Sequence, residues 1–499
     1  MDNQKYGMLF ETSPNSHYYF DAGTGKVITC STEERDFIEK VLDGTLSLEK
    51  AKEINTEFKD FLDEENLFAD YDWTFSVPTR EEYQELVEGH CRQIVLELTE
   101  ACNLRCEYCI YSEHHRNFRG YSGKCMTFET AKKSIDLILN GYKDEEFALS
   151  FYGGEPLMNF PLLKKCIEYA KKAYPDVKMS FSFTTNLTLL TQEMLDFFIS
   201  LENIEIMCSL DGPQDIHDKY RLDTNGKGTY DKAIQNFKLL LEKFYDLEKK
   251  RILMINCVMV PPYTKEKLHD IYHFFYETLK IPRTIICNYS YVDLGDMKIE
   301  ETLEPLEQQK SKISPLEAVA AEDFLKKKED SEFFRLIDLE LYRVANRART
   351  EKGVIDSGFL HGNCIPGKRR MYVTVDGNFK TCEKVGNLPF LGNCETGFDY
   401  DKSYKFYIED YANYYRNKCS NCWARNMCSI CYDNAIAVDS EIPYKTGKLC
   451  ETSRKLVREM FIDYYHLFEK DKEGLAKAVG NMKICLLYTS PSPRDTERS

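Results

Sequence analysis

The spacing of hydrophobic and polar positions changes several times along this chain. From Tyr6 to Ser31 (YGMLFETSPNSHYYFDAGTGKVITCS) it is extended and turn-rich, and helical spacing then takes over from Glu33 to Leu42 and from Leu48 to Leu62. That order predicts a small module, residues 1–75, of strands followed by helices. A polar stretch with Pro78 and TREEYQELVEGH comes next, so the first boundary falls near residues 75 to 90.

From Ile94 to about Asp293 strand-like runs alternate with helical ones. The runs are IVLELTE, FALSFYGGEP, MSFSFTTN, IEIMCSLDG, ILMINCVMV and TIICNYSYV. Between them, AIQNFKLLLEKFY puts Ile234, Phe237, Leu241 and Phe244 on one helical face. Alternating β and α over ~200 residues implies parallel strands with helices outside, as a barrel or a doubly wound sheet, and six repeats fit an incomplete barrel. Each run ends in small, polar or sulfur residues, and in such folds the carboxyl ends of the strands carry the site. Residues 296–360 read as a charged helical bridge. Residues 361–455 are cysteine-dense and loop-rich, as where metal replaces part of a core. A C-terminal helix is expected over 456–485.

Composition narrows the function classes. The 499 residues are 43% hydrophobic and 13% aromatic, enough for two or three filled cores. A formal charge of −16 disfavours nucleic acid and would suit a basic peptide. No apolar run approaches the roughly 18 residues that span a bilayer. The start, MDNQKYGMLFETS, lacks a basic and an apolar signal region, so the expected location is cytoplasmic, with no membrane. In that setting the 19 cysteines should be free for metal or catalysis rather than paired as disulfides. The last residues, 486–499 (LLYTSPSPRDTERS), resemble translated cloning read-through or a disordered tail and are set aside from the fold.

The stretch TEACNLRCEYCIYSE places Cys102, Cys106 and Cys109 directly after the first barrel strand. Structural zinc takes four protein ligands, and a three-ligand catalytic zinc is the alternative to an iron–sulfur cluster with one open iron. With Tyr108 before the last cysteine, the loop resembles the Cys-x3-Cys-x-aromatic-Cys signature of the radical S-adenosylmethionine (radical SAM) superfamily. The resemblance implies a [4Fe-4S] cluster whose open iron binds S-adenosylmethionine, with Tyr108 touching the adenine. It further implies that Gly153, Gly154 and Glu155 of FYGGEP line the methionine amine, and that Thr185 and Asn186 of TTN contact ribose and carboxylate. Ser209 of SLDGP is a ligand contact, Arg221 of HDKYR pairs with the methionine carboxylate, and Val258 of NCVMVPP lies on the adenine side. Period-2 alternation leaves Cys208 in the core, and Cys166 and Cys257 read as buried small hydrophobes.

A second set runs Cys364-x12-Gly377-x4-Cys382, then Cys419-x2-Cys422-x5-Cys428-x2-Cys431 and Cys450. It resembles the SPASM domain, whose two auxiliary [4Fe-4S] clusters would take Cys419, Cys422, Cys428 and Cys450 (outer) and Cys364, Cys382 and Cys431 (inner). The commonest form has three residues in the last short gap where this chain has two, and paired zinc knuckles are the competing reading of CxxC-x5-CxxC. The inner set either leaves an iron open or recruits a thiol such as Cys125 or Cys394. Glu383, next to Cys382, stands where related sulfatase-maturing enzymes carry an acidic base; a surface glutamate is the alternative.

Members of this group that act on ribosomally made peptides (RiPPs) often begin with a recognition element that captures a leader peptide as an added strand, and residues 1–75 fit its length and order. The fold expected is therefore α/β: a partial (β/α)6 TIM-like barrel over residues 90–295, a winged-helix-like N-terminal module and a C-terminal cysteine-rich iron–sulfur domain. The implied function is a radical SAM maturase of a precursor peptide, served by an electron donor such as flavodoxin or ferredoxin, that installs a thioether or carbon–carbon crosslink. The rivals are an anaerobic sulfatase-maturing enzyme and a non-catalytic leader-binding or electron-transfer protein.

Overall fold

A computed structural model describes residues 5–292, 315–327, 336–436 and 444–481. The read-through-like tail lies outside these residues, as does much of the expected bridge. The chain divides into two compact units. One gathers the described residues of Met1–Thr79, Val319–Cys364 and Tyr404–Ser499, the other those of Arg80–Ala318 and Ile365–Ser403.

The first unit begins with an antiparallel sheet, β1 (Gly7–Ser13), β2 (Ser16–Asp21) and β3 (Val27–Cys30), in the order β1-β2-β3. Three helices follow: α1 (Thr32–Leu42), α2 (Leu48–Ile54) and α3 (Thr56–Glu65). Ser31 and Glu34 close a capping box at the start of α1. The single helical run expected from Leu48 to Leu62 is broken at Asn55, whose extended backbone ends α2 while its side chain accepts from Phe58 N and caps α3.

The consecutive Tyr18, Tyr19 and Phe20 are all buried because both faces of this sheet are covered. Tyr19 packs with Ile38, Val41, Phe58 and Leu62 under the helices. Met8, Phe10, Tyr18 and Phe20 pack against Trp423, Val457 and Phe461, so the N-terminal sheet and the cysteine-rich C-terminal segment share one core. The same unit pairs β4 (Thr74–Phe75) with a short strand at Ser357–Gly358. Its long helix, Lys448–Lys470, starts eight residues before the boundary expected at 456, which puts Cys450 in its first turn. A second helix, Lys472–Asn481, follows a break at Asp471.

The second unit contains the expected six parallel strands: β5 (Gln93–Thr99), β6 (Glu146–Gly153), β7 (Lys178–Thr185), β8 (Ile204–Ser209), β9 (Arg251–Met259) and β10 (Ile286–Tyr291), neighbours in chain order. Helices intervene, from Phe128–Leu139 after β5 to Lys265–Tyr272 before β10. Ile234, Phe237 and Phe244 are buried as the periodicity requires, and Leu241 is half-buried. Strand Arg370–Val373, from the cysteine-rich region, pairs in parallel with β5, placing Tyr372 beside Val95, and three short antiparallel strands extend the sheet beyond it. Among the described residues no helix is long and apolar enough to cross a membrane.

Candidate active site

The cysteine loop leaves β5 at Thr99 and is stitched to the end of β6. Gly154 N donates to Thr99 O at 2.9 Å and Glu155 N to Ala101 O at 2.9 Å. A Cβ on Gly153 (φ +136°) would fall 2.3 Å from Thr99 O, and one on Gly154 2.0 Å from Ala101 O. Both glycines therefore admit the backbone that carries Cys102.

The Cys102, Cys106 and Cys109 thiols lie within electrostatic reach of one another, and burial pushes Cys102 and Cys106 up to about 12. Hydrogen-bond donors converge on the sulfurs: Leu104 N on Cys102 at 3.4 Å, Tyr111 N on Cys109 at 3.5 Å, and Arg221 Nη1 on Cys106 at 4.0 Å. Such a donor shell suits thiolates. The donor set, three thiols on one loop with N–H groups around them, fits a four-iron cluster, which takes one thiolate per iron.

Glu155 is buried and accepts three protein hydrogen bonds: Oε1 from Thr185 Oγ1 (2.9 Å) and Leu157 N (3.1 Å), Oε2 from Asn186 N (2.8 Å). A carboxylate has about four acceptor positions, so one remains, on Oε2, for a ligand ammonium. Burial pushes Glu155 up to about 7 against these bonds, which favour the carboxylate. The Thr185 hydroxyl is spent within the protein, on Glu155 and on Leu187 N. Asn186 grips the loop, donating to Asn103 Oδ1 at 2.9 Å.

Sequence reasoning passed over the hub of the opposite wall, Asp211. Its Oδ1 accepts from Val258 N (2.9 Å) and its Oδ2 from Arg221 Nε (2.8 Å) and the Tyr108 hydroxyl. Tyr108, Arg221 and Val258 are thus brought together, with the Arg221 guanidinium 5.4 Å from the Tyr108 ring centre. Asp211, Ile216, Tyr220, Val258, Lys267 and Ile271 line a cleft here. Ser209 ends β8 and is buried, and Cys166, Cys208 and Cys257 are fully buried. The signal for Asp211 was its place on the same strand face as Ser209.

Residues 96–275 match the family model described as the Radical SAM superfamily. This is a radical SAM domain. The chain is 33% identical over 177 residues to the serine-type anaerobic sulfatase-maturating enzyme of Bacteroides thetaiotaomicron, covering 35% of this chain and 41% of that one. It is 23% identical over 411 residues to the radical SAM cyclopropyl synthase TigE of Paramaledivibacter caminithermalis, covering 76% of each. The structure of anSMEcpe with bound AdoMet superposes with a TM-score of 0.54 at 19% identity, over 78% of this chain and 98% of that one, a likeness of fold. The chain spans less than half the length of the curated relatives it matches above 30% identity.

Next to the radical SAM strands, Arg370 Nη1 donates to both oxygens of Glu383 at 3.2 Å while its Nε reaches Gln93 at the start of β5. The half-buried Tyr152 lies within electrostatic reach of both Glu383 and Cys109, and the Glu383 side chain is 16% exposed. A second interior pair escaped notice: Glu97, in the middle of IVLELTE, accepts from Arg119 Nε at 2.5 Å, and Arg119 stacks 3.8 Å from the Tyr111 ring centre. An acidic residue inside an apolar strand run was the available signal.

Among the auxiliary cysteines, Cys419, Cys422, Cys428 and Cys450 come together in the first unit, each thiol within electrostatic reach of the others. They sit at the end of helix Tyr411–Ser420, in the turns after it and at the start of helix Lys448–Lys470. Cys364 and Cys431 form a second group. Cys382 belongs to the other unit, following strand Asn378–Lys380. Cys125 lies 3.3 Å from Thr99 Oγ1, and Cys394 packs on Gly377, where a Cβ would fall 2.4 Å from its sulfur. All described cysteines are free of disulfides.

Proposed function

We propose that this protein is a radical SAM peptide maturase that installs a thioether or carbon–carbon crosslink in a ribosomally made precursor. The observation that carries the reading is the N-terminal sheet. Among the described residues strand β3 is an edge, paired only by β2, in a three-strand, three-helix module whose core runs into the Cys419–Cys450 region. An edge strand accepts an extended peptide through main-chain hydrogen bonds, which suits capture of a leader. A cyclopropyl synthase among the relatives supports carbon–carbon bond formation.

When bound, the first cluster and S-adenosylmethionine supply a 5′-deoxyadenosyl radical that removes a hydrogen atom from an unactivated carbon. Cys102, Cys106 and Cys109 would hold that cluster. Glu155 would take the methionine ammonium, Arg221 would pair with its carboxylate, and Tyr108 and Val258 would flank the adenine, with Ser209 beside them. Glu383 would accept the proton lost from the substrate, and the auxiliary cysteines would hold the acceptor of the second electron. A cytoplasmic flavodoxin or ferredoxin is the expected donor.

The test is incubation of the reduced, cluster-loaded protein with S-adenosylmethionine and a candidate precursor peptide, sought among short reading frames beside its gene. A peptide lighter by two hydrogens, with 5′-deoxyadenosine formed alongside, supports the maturase. No cleavage of S-adenosylmethionine by protein with an intact first cluster would sink an enzymatic role. The second reading, a sulfatase-maturing enzyme, is favoured by the B. thetaiotaomicron relative; an aldehyde on the peptide, trapped by a hydrazide, would select it.

A further inference from the structure

Among the buried imidazoles, His361 lies against a cysteine of the outer set. His361 is 4% exposed and sits at φ +54°, a left-handed conformation uncommon for a side chain of this size. Its Nε2 lies 3.0 Å from Cys419 Sγ and its Nδ1 2.8 Å from the Tyr411 hydroxyl. Phe75, Tyr411 and Tyr415 pack around the ring at 5.2–5.6 Å between centres, two of them near-perpendicular to it.

The hydrogen-bond network assigns the tautomer. The Tyr411 oxygen accepts from Asn363 Nδ2 at 3.2 Å, so its single hydrogen is free to go to His361 Nδ1. Nε2 then carries the ring proton and points it at Cys419. The opposite assignment would need Cys419 to donate, which a metal-bound thiolate cannot do. Asn363 is itself fixed: its Oδ1 accepts from Tyr432 N at 3.0 Å, and it directly precedes Cys364 as Tyr432 directly follows Cys431.

We propose that His361 is a positioning residue that donates a hydrogen bond from Nε2 to the Cys419 thiolate and so raises the reduction potential of the cluster held there. A donor aimed at a ligand sulfur withdraws negative charge, which favours the reduced cluster. The inference rests on the reading of Cys419 as a cluster ligand.

The test uses the full chain with Cys102, Cys106 and Cys109 replaced by alanine and clusters reconstituted anaerobically, so that only downstream clusters report. Iron is counted and midpoints are read by potentiometric electron paramagnetic resonance. His361→Phe is expected to lower one midpoint while the other signal and the iron content stay unchanged, and His361→Gln, which restores an N–H donor, to recover part of the shift. Tyr411→Phe keeps the ring and removes the hydroxyl that fixes the tautomer; it is expected to shift the same midpoint the same way. Unchanged midpoints in an iron-replete His361→Phe overturn the proposal, and if that variant loses iron, an unchanged midpoint in Tyr411→Phe does so. Cys419→Ser with full iron and unaltered spectra would instead overturn the ligand assignment.

Discussion

Arg221 donates through Nε to Oδ2 of Asp211 at 2.8 Å, with side chains only 7% and 2% exposed. The same carboxylate holds Tyr108 and the backbone N–H of Val258, so one buried charge organises an entire wall of the candidate site. Asp211→Asn would leave the guanidinium buried without a counter-charge. The expected loss is about 3–5 kcal/mol of stability, read from urea unfolding, together with loss of S-adenosylmethionine binding. A variant of wild-type stability would show that the pair is not what holds this wall.

Glu155 should make both stability and ligand binding depend on pH. Its pKa rises from 4.5 to about 7, mainly through burial. The folded chain keeps this proton longer than the unfolded one, so the contribution is fully present below about 4.5 and falls away as pH rises through about 7, by on the order of 3 kcal/mol. Glu155→Gln should flatten that part of a stability profile. Binding of a ligand ammonium favours the carboxylate, so below about 7 it should release a proton. Calorimetry in buffers of different ionisation heat reads that release, and an equal heat in all buffers at pH 6 would contradict it.

Gly154 tests the stitching of the cysteine loop with every cysteine left in place. The Cβ of Gly154→Ala would lie 2.0 Å from Ala101 O, a backbone atom that moves only if the Cys102 loop moves. The variant should keep its far-ultraviolet circular dichroism and its auxiliary clusters but lose the iron of the first cluster. Full iron occupancy after reconstitution would exclude this role.

Glu383→Gln separates radical formation from product formation. A lost proton acceptor should leave cleavage of S-adenosylmethionine close to wild type while lowering modified peptide by about 10²–10⁴-fold. Equal yields of peptide product in the two proteins, measured by mass spectrometry, would restrict Glu383 to its pairing with Arg370.

Much of this was legible along the chain. The six parallel strands follow from apolar runs alternating with helical spacing, and the ligand loop from three cysteines set directly after a strand. The grouping of Cys419, Cys422 and Cys428 follows from their spacing. These signals are local, because the period of a strand or helix and the reach of a short loop are set by neighbouring residues.

Partner choice was decided only in three dimensions. Arg221 of HDKYR reads as a partner for a ligand carboxylate, and in the fold it is buried because Asp211, ten residues before it, supplies its counter-charge. Glu155 reads as a ligand contact, and three of its acceptor positions are filled by the ends of β6 and β7 and the turn between them. The first residues read as a separate module, and Phe10 and Phe20 share a core with Phe461. Composition and period by themselves determined which elements form and which residue types gather at strand ends. Long-range packing decided which buried charge meets which partner, because an unpaired charge or an uncovered apolar face is costly wherever it lies along the chain.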